Sequence, residues 1–138
     1  MAWLRNGQPI PGATGTRRVI TVQDAWTRLS CRVRATNDAG DATATSASTL
    51  VALAPVNVAP PRITGSGRTL RAAPGTWVDG PNPSAPAYQW LRDGQPIAGA
   101  TTATHRVTAR ERGTTLSVRV TVTNARGRAS ATSGGRSG

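Results

Sequence analysis

Leu116, Val118, Val120 and Val122 alternate with Ser117, Arg119, Thr121 and Thr123, and this period of two predicts a strand with one buried face. The tetrad Asn124-Ala125-Arg126-Gly127 then predicts a turn, with Gly127 free to take a positive φ, and Arg128 to Ser133 predicts a strand that pairs back. Upstream, Tyr88 to Leu91 reads as a further strand, Asp93-Gly94 as a two-residue hairpin turn and Gln95 to Ala98 as the return. Arg62 to Thr64, Thr69 to Ala72 and Thr104 to Thr108 are shorter strand candidates, and Arg110 to Gly113 turns the chain into the long alternating strand. About seven short strands with turn signals every ~8–12 residues predict a β-sandwich. Trp90 falls on one of them as the expected aromatic centre of its core.

The same pattern occurs twice. Residues from Trp3 read WLRNGQPIPGAT and residues from Trp90 read WLRDGQPIAGAT, 87 positions apart. The offset carries Leu29 onto Leu116, Val33 onto Val120, Asn37 onto Asn124, Gly40 onto Gly127 and Ser46 onto Ser133 without a gap. Self-similarity at a fixed period marks duplicated structural units. The second copy is preceded by PRITGSGRTLRAAPGTWVDGPNPSAPAYQ, whereas only Met1 and Ala2 precede Trp3. The first copy is therefore expected to lack its opening strands. The expected organisation is a partial repeat over 1–53, a proline-marked linker over 54–60, a complete domain over 61–133 and a flexible Gly/Ser tail over 134–138.

W-L-R-D-G-Q-P-I-A-G-A-T from Trp90, L-S-V-R-V-T-V-T-N-A-R-G from Leu116 and P-G-T-W from Pro74 resemble the bacterial immunoglobulin-like repeats of actinobacterial surface proteins and tailed-phage virion proteins. The resemblance covers nearly all of the chain apart from the linker and tail. It implies an all-β fold of tandem immunoglobulin-like β-sandwiches, the first without its N-terminal strands. It leaves the ligand open, because this fold hosts many roles.

Composition narrows the function classes. All 17 basic residues are Arg, against six acids, for a formal charge of +11. An Arg-only, Ala/Gly/Thr-rich chain also points to high-GC codon usage, as in an actinobacterium or its phages. The arginines are scattered singly, so a solvated sheet face is the first expectation, and an anionic glycan or other polyanion the second. A nucleic-acid partner is disfavoured, since no recognition helix or clustered basic strip is evident. No apolar stretch is long enough for a membrane helix. Cys31, the single cysteine, aligns with Val118 and is expected to be a buried, inward-facing thiol without a disulfide.

His105 is the only histidine, and no nucleophile elbow, phosphate loop or metal-ligand spacing accompanies it. The expectation is a chain that is not an enzyme and needs no cofactor or metal. Candidate binding residues, for docking or for a polyanion, are Trp3, Trp26, Arg32, Arg34, Trp77 and Arg119. Trp26 is an additional aromatic, standing where the second copy has Gly113; for Trp77 the plainer expectation is packing under a loop.

A sandwich without its opening strands exposes part of its core and an unpaired sheet edge. Three explanations are open: an excised fragment, filling of the gap by the stretch Ser48 to Leu53, or strands supplied by a neighbouring chain. With Met1 read as a natural start and no leader before Trp3, the expected role is a virion structural protein. It would decorate a phage head, docking on capsid or tail proteins or on copies of itself. The alternative is an adhesive or glycan-binding module on the surface of an actinobacterial cell.

Overall fold

A computed structural model describes all residues, Met1–Gly138. The chain is all-β, built from antiparallel sheets, and divides into two compact units, Met1–Leu53 and Ala54–Gly138.

The first unit is one sheet. Strand β1 (Ala2–Arg5) turns through Asn6-Gly7 into β2 (Gln8–Pro9). Asn6 and Gly7 both hold positive φ, 49° and 82°. This two-residue turn matches the twist of its strands, and the Asn-Gly pair tolerates both angles. The long strand β3 (Arg28–Asn37) pairs with β1, and β4 (Gly40–Thr45) and β5 (Thr49–Leu50) pair with β3 on its other side. Between β4 and β5 the ladder is interrupted at Ser46. Its hydroxyl accepts the Cys31 N–H at 3.0 Å and its own N–H donates to the Cys31 carbonyl at 2.8 Å.

The second unit begins with β6 (Val56–Ala59), β7 (Arg62–Thr64), β8 (Thr69–Ala73) and β9 (Thr76–Val78). It continues with β10 (Ala87–Arg92), β11 (Gln95–Pro96), β12 (Thr104–Arg106), β13 (Thr115–Asn124), β14 (Gly127–Thr132) and β15 (Arg136–Ser137). One sheet runs β11-β10-β13-β14, with β15 also on β13; a second runs β12-β8-β7; β6 pairs with β9. Leu70 of β8 packs with Trp90, Leu116 and Val118 of the first sheet, with Ile63 and Ala72 beside them. This arrangement of facing antiparallel sheets is consistent with a β-sandwich. Burying Leu70, Leu116 and Val118 contributes on the order of 1.5–3 kcal/mol apiece.

The sheets β1 to β5 and β10, β11, β13, β14 and β15 correspond at the offset of the sequence repeat. The Trp3 Nε1–H donates to the Gly15 carbonyl and the Trp90 Nε1–H to the Thr102 carbonyl, both at 2.9 Å. Asn6 accepts the Arg28 N–H and Asp93 the Thr115 N–H through their side chains. Ser133 repeats on Val118 what Ser46 does on Cys31.

Three expectations are corrected. The stretch 54–60 is not a linker: Val56–Ala59 forms a strand on β9, and Pro55 and Pro61 are buried at its flanks. Gly75, at φ +82°, lets this pairing close, because a Cβ there would collide with the Ala59 carbonyl oxygen. The tail is not free, since Arg136 and Ser137 pair with Leu116 and Thr115. The stretch Ser48 to Leu53 does not fill the gap in the first unit. Its strand β5 is the counterpart of β15, continuing along the β4 side of β3, where the Val51 carbonyl and N–H bond to Trp26 and Thr27.

Candidate docking face

Strand alternation places Trp3 and Arg5 of β1, with Leu29, Cys31, Val33 and Ala35 of β3, on one face of the first sheet. The matching face of the second unit carries Trp90, Leu116, Val118, Val120 and Val122. All five are 0–2% exposed, because β7, β8 and β12 lie over much of that face. The first unit has no second sheet. Val33 is accordingly 44% exposed, Ala35 is exposed, and Trp3 and Cys31 are half-buried; Leu29, at 7%, is the one residue of the face that stays buried. The sequence expectation of a buried Cys31 is corrected by this: the thiol lies on the inner face but is only half-buried. Five of the six exposed large apolar side chains, Met1, Val19, Ile20, Val33 and Leu50, lie in the first unit, so apolar exposure is concentrated there.

The edge of this face is equally unfinished. In the second unit β12 pairs with β8, setting Thr104 opposite Arg71, His105 opposite Leu70 and Arg106 opposite Thr69. The Val107 N–H donates to the Arg68 carbonyl at 2.6 Å, and the Ala72 N–H to the Ala103 carbonyl at 2.7 Å. The corresponding residues of the first unit, Thr16 to Ile20, form no strand and no backbone-to-backbone hydrogen bond. Val19 is 82% exposed.

Beneath the edge sits a buried acid in each unit, at equivalent positions. Asp24 closes a short 3-10 turn, Val22–Asp24, and its carboxylate accepts the Thr21 N–H at 2.9 Å. It is fully buried and bound by Arg5 at 2.6 Å and Arg18 at 3.0 Å. Burial pushes this carboxyl up, but the Thr21 N–H and the two guanidiniums outweigh it and hold it at about 2, below its ordinary 3.8. In the second unit Glu111 accepts the Thr108 N–H at 3.0 Å and meets the His105 Nε2 at 2.8 Å. Burial raises this carboxyl too, and the Thr108 N–H and His105 bring it below its ordinary 4.5. The His105 ring also stacks on Trp90 with centroids 5.3 Å apart, so the only histidine is committed to the core. Arg18 occupies in the first unit the position His105 holds in the second. The signal for both acids is the pair T-V-Q-D and T-A-R-E at the repeat offset, a Thr-x-x-acid turn opening; a turn role was expected for Glu111 and is seen in its bond to the Thr108 N–H, whereas Asp24 went unremarked.

The six candidate binding residues do not form one cluster. Trp3 lies on the open face. Trp26 is half-buried with φ +59°, and its Nε1 is buried without a hydrogen-bond partner. Arg32 and Arg34 point from the opposite face of β3, where with Met1, Ala2, Asp41 and Thr43 they line an open depression and Arg34 pairs with Asp41. Trp77 and Arg119 belong to the second unit. Trp77 lies on β9, half-buried, with its Nε1–H on the Pro74 carbonyl at 2.8 Å. Arg119 is exposed on β13. The residues that sequence reasoning missed are Val19 and Ile20, counterparts of Arg106 and Val107 at the repeat offset, whose exposure is explained by the absence of a strand facing them.

Compared with protein-family models and with curated proteins, the chain matches none.

Proposed function

We propose that the chain is a non-enzymatic structural protein of tandem immunoglobulin-like sandwiches, the first lacking its N-terminal strands, that docks on a larger assembly through the open face of the first unit. The assembly best fitted to this reading is a phage virion, with the chain as a head decoration or minor structural protein. One observation carries it: Trp90, Val118, Val120 and Val122 are buried in the second unit, whereas their counterparts Trp3, Cys31, Val33 and Ala35 stand half-covered or exposed in the first. An apolar face of this kind is a docking surface or an aggregation hazard, and a stable soluble chain needs it covered.

The second reading, an adhesive or glycan-binding module of a cell surface, draws on the opposite side of β3. There Arg32 and Arg34 line a depression with room for an anionic sugar, although Asp41 already engages Arg34. Immunogold labelling separates the two. An antibody against the chain, applied to lysed cultures of the source organism, is expected to decorate phage particles. Labelling confined to cell envelopes overturns the virion reading.

A further inference from the structure

We propose that the first unit is completed by strand addition from an extended, acid-bearing segment that is neither part of residues 1–138 nor a copy of β8. This segment would pair antiparallel with Arg17–Val19 and lay alternate apolar side chains on Trp3 and Cys31. This deepens the docking reading and rests on it.

The second unit supplies the template. There the strand that covers the equivalent face is β8, with Leu70 packed against Trp90, Leu116 and Val118 and its backbone paired to β12. The first unit keeps the receiving side of that arrangement. Trp3 retains its indole hydrogen bond, Leu29 and Cys31 occupy the sites of Leu116 and Val118, and Thr21 to Asp24 rebuild the turn that ends the edge segment. Absent are the counterpart of β8, which would lie over Trp3 and Cys31, and those of β6, β7 and β9. The unpaired backbone of Thr16 to Ile20 and the exposed apolar face therefore call for the same occupant. A flat apolar partner would cover the face and leave the edge unpaired, whereas a strand satisfies both.

Charge disfavours the chain's own β8 as the donor. Arg71 stands opposite Thr104 in the second unit, and Arg17 replaces that threonine in the first. A copy of β8 would set Arg71 directly across from Arg17, and like charges facing one another across strands are destabilising. Lending β8 to a neighbour would also strip Leu70 from its own core, so exchange between copies gains nothing. The fitting donor carries an acid opposite Arg17 and a branched apolar residue at the next position, opposite Arg18.

The test uses the full chain and a synthetic peptide covering residues 61–78 with Arg71→Glu. Isotope-detected NMR titration is expected to show saturable binding that shifts the amides of Arg17 to Ile20, Leu29, Cys31 and Val33 and leaves Trp90 and Val118 unmoved. The peptide with its native Arg71 is expected to bind several-fold more weakly. Leu70→Glu in the peptide abolishes binding. Ile20→Pro in the chain, which removes the N–H corresponding to that of Val107, weakens it about tenfold or more, while Ile20→Ala costs about threefold or less. No saturable binding, equal binding of the native and Arg71→Glu peptides, or a chain that instead forms a face-to-face dimer with these amides still exchanging freely, overturns strand addition. Particle labelling alongside any of these results leaves virion docking standing and removes only the strand mechanism.

Discussion

Val120→Asp is expected to unfold the second unit, while Val33→Asp at the equivalent position of the first changes stability by less than about 1 kcal/mol. Both valines occupy the same register site on the long central strand, Val33 opposite Ala44 and Val120 opposite Ala131. Val120 is 0% exposed and Val33 is 44% exposed. A carboxylate at Val120 has no cation to meet among Trp90, Val118 and Val122. Its desolvation costs several kcal/mol. A unit of this size has about 4–13 kcal/mol of stability in total, so the loss removes much or all of it. At Val33 the carboxylate reaches water directly, and only the weak aversion of Asp to strands remains. Urea titrations monitored by NMR read the two units separately. Comparable losses in both would mean that something covers Val33.

Asp24→Ala is expected to cost the first unit about 3–5 kcal/mol, enough to unfold a small single sheet. The substitution takes away the acceptor of the Thr21 N–H and leaves Arg18, whose side chain is 18% exposed, without its anion. The pH dependence follows from the same group. Because the folded carboxyl is held at about 2 rather than 3.8, its contribution is complete above the unfolded value and is lost as pH falls through the folded one. That contribution is about 2 kcal/mol. The first unit should therefore lose stability between about pH 4 and pH 2, and Asp24→Asn should flatten that slope at the cost of a lower plateau. Glu111, also held below its ordinary value, gives the second unit a loss of the same sign as pH falls below 4.5. Acid titration of the Trp3 and Trp90 indole signals measures both.

Much of the fold was legible because its strongest signals are local. The alternation from Leu116 to Val122 fixed the central strand and its buried face, and Asp93-Gly94 fixed a hairpin through the positive φ it tolerates, 47° and 81°. The repeat then carried each of these into the first unit. What escaped depends on partners far along the chain. Val56–Ala59 is short and flanked by prolines, and it is a strand only because β9 lies beside it with Gly75 making room. The final strand pairs through Arg136 and Ser137, residues with no strand-like pattern of their own. Cys31 aligned correctly with Val118, but burial belongs to the pair of sheets and not to the strand, so alignment could not predict its exposure. The open edge was legible in outline as a deficit of strands. Its location at Thr16 to Ile20 became visible only beside the β12–β8 pairing. The arginine and tryptophan candidates were chosen by type, and the structure scatters them over two faces and two units.

The inner face of the first unit lies open, and the chain carries its own reporter of that face in the single thiol of Cys31. The measurement compares maleimide modification of the native chain with that of a Cys31→Ala, Val118→Cys variant, under native conditions and again in denaturant. With the face open, Cys31 is expected to react within about tenfold of its denatured rate, while a thiol at position 118 reacts at least about a hundredfold more slowly, since it must await opening of the core. Equal protection at the two positions would contradict this, because the face around Cys31 would then be sealed in the isolated chain and have nothing left to offer a partner.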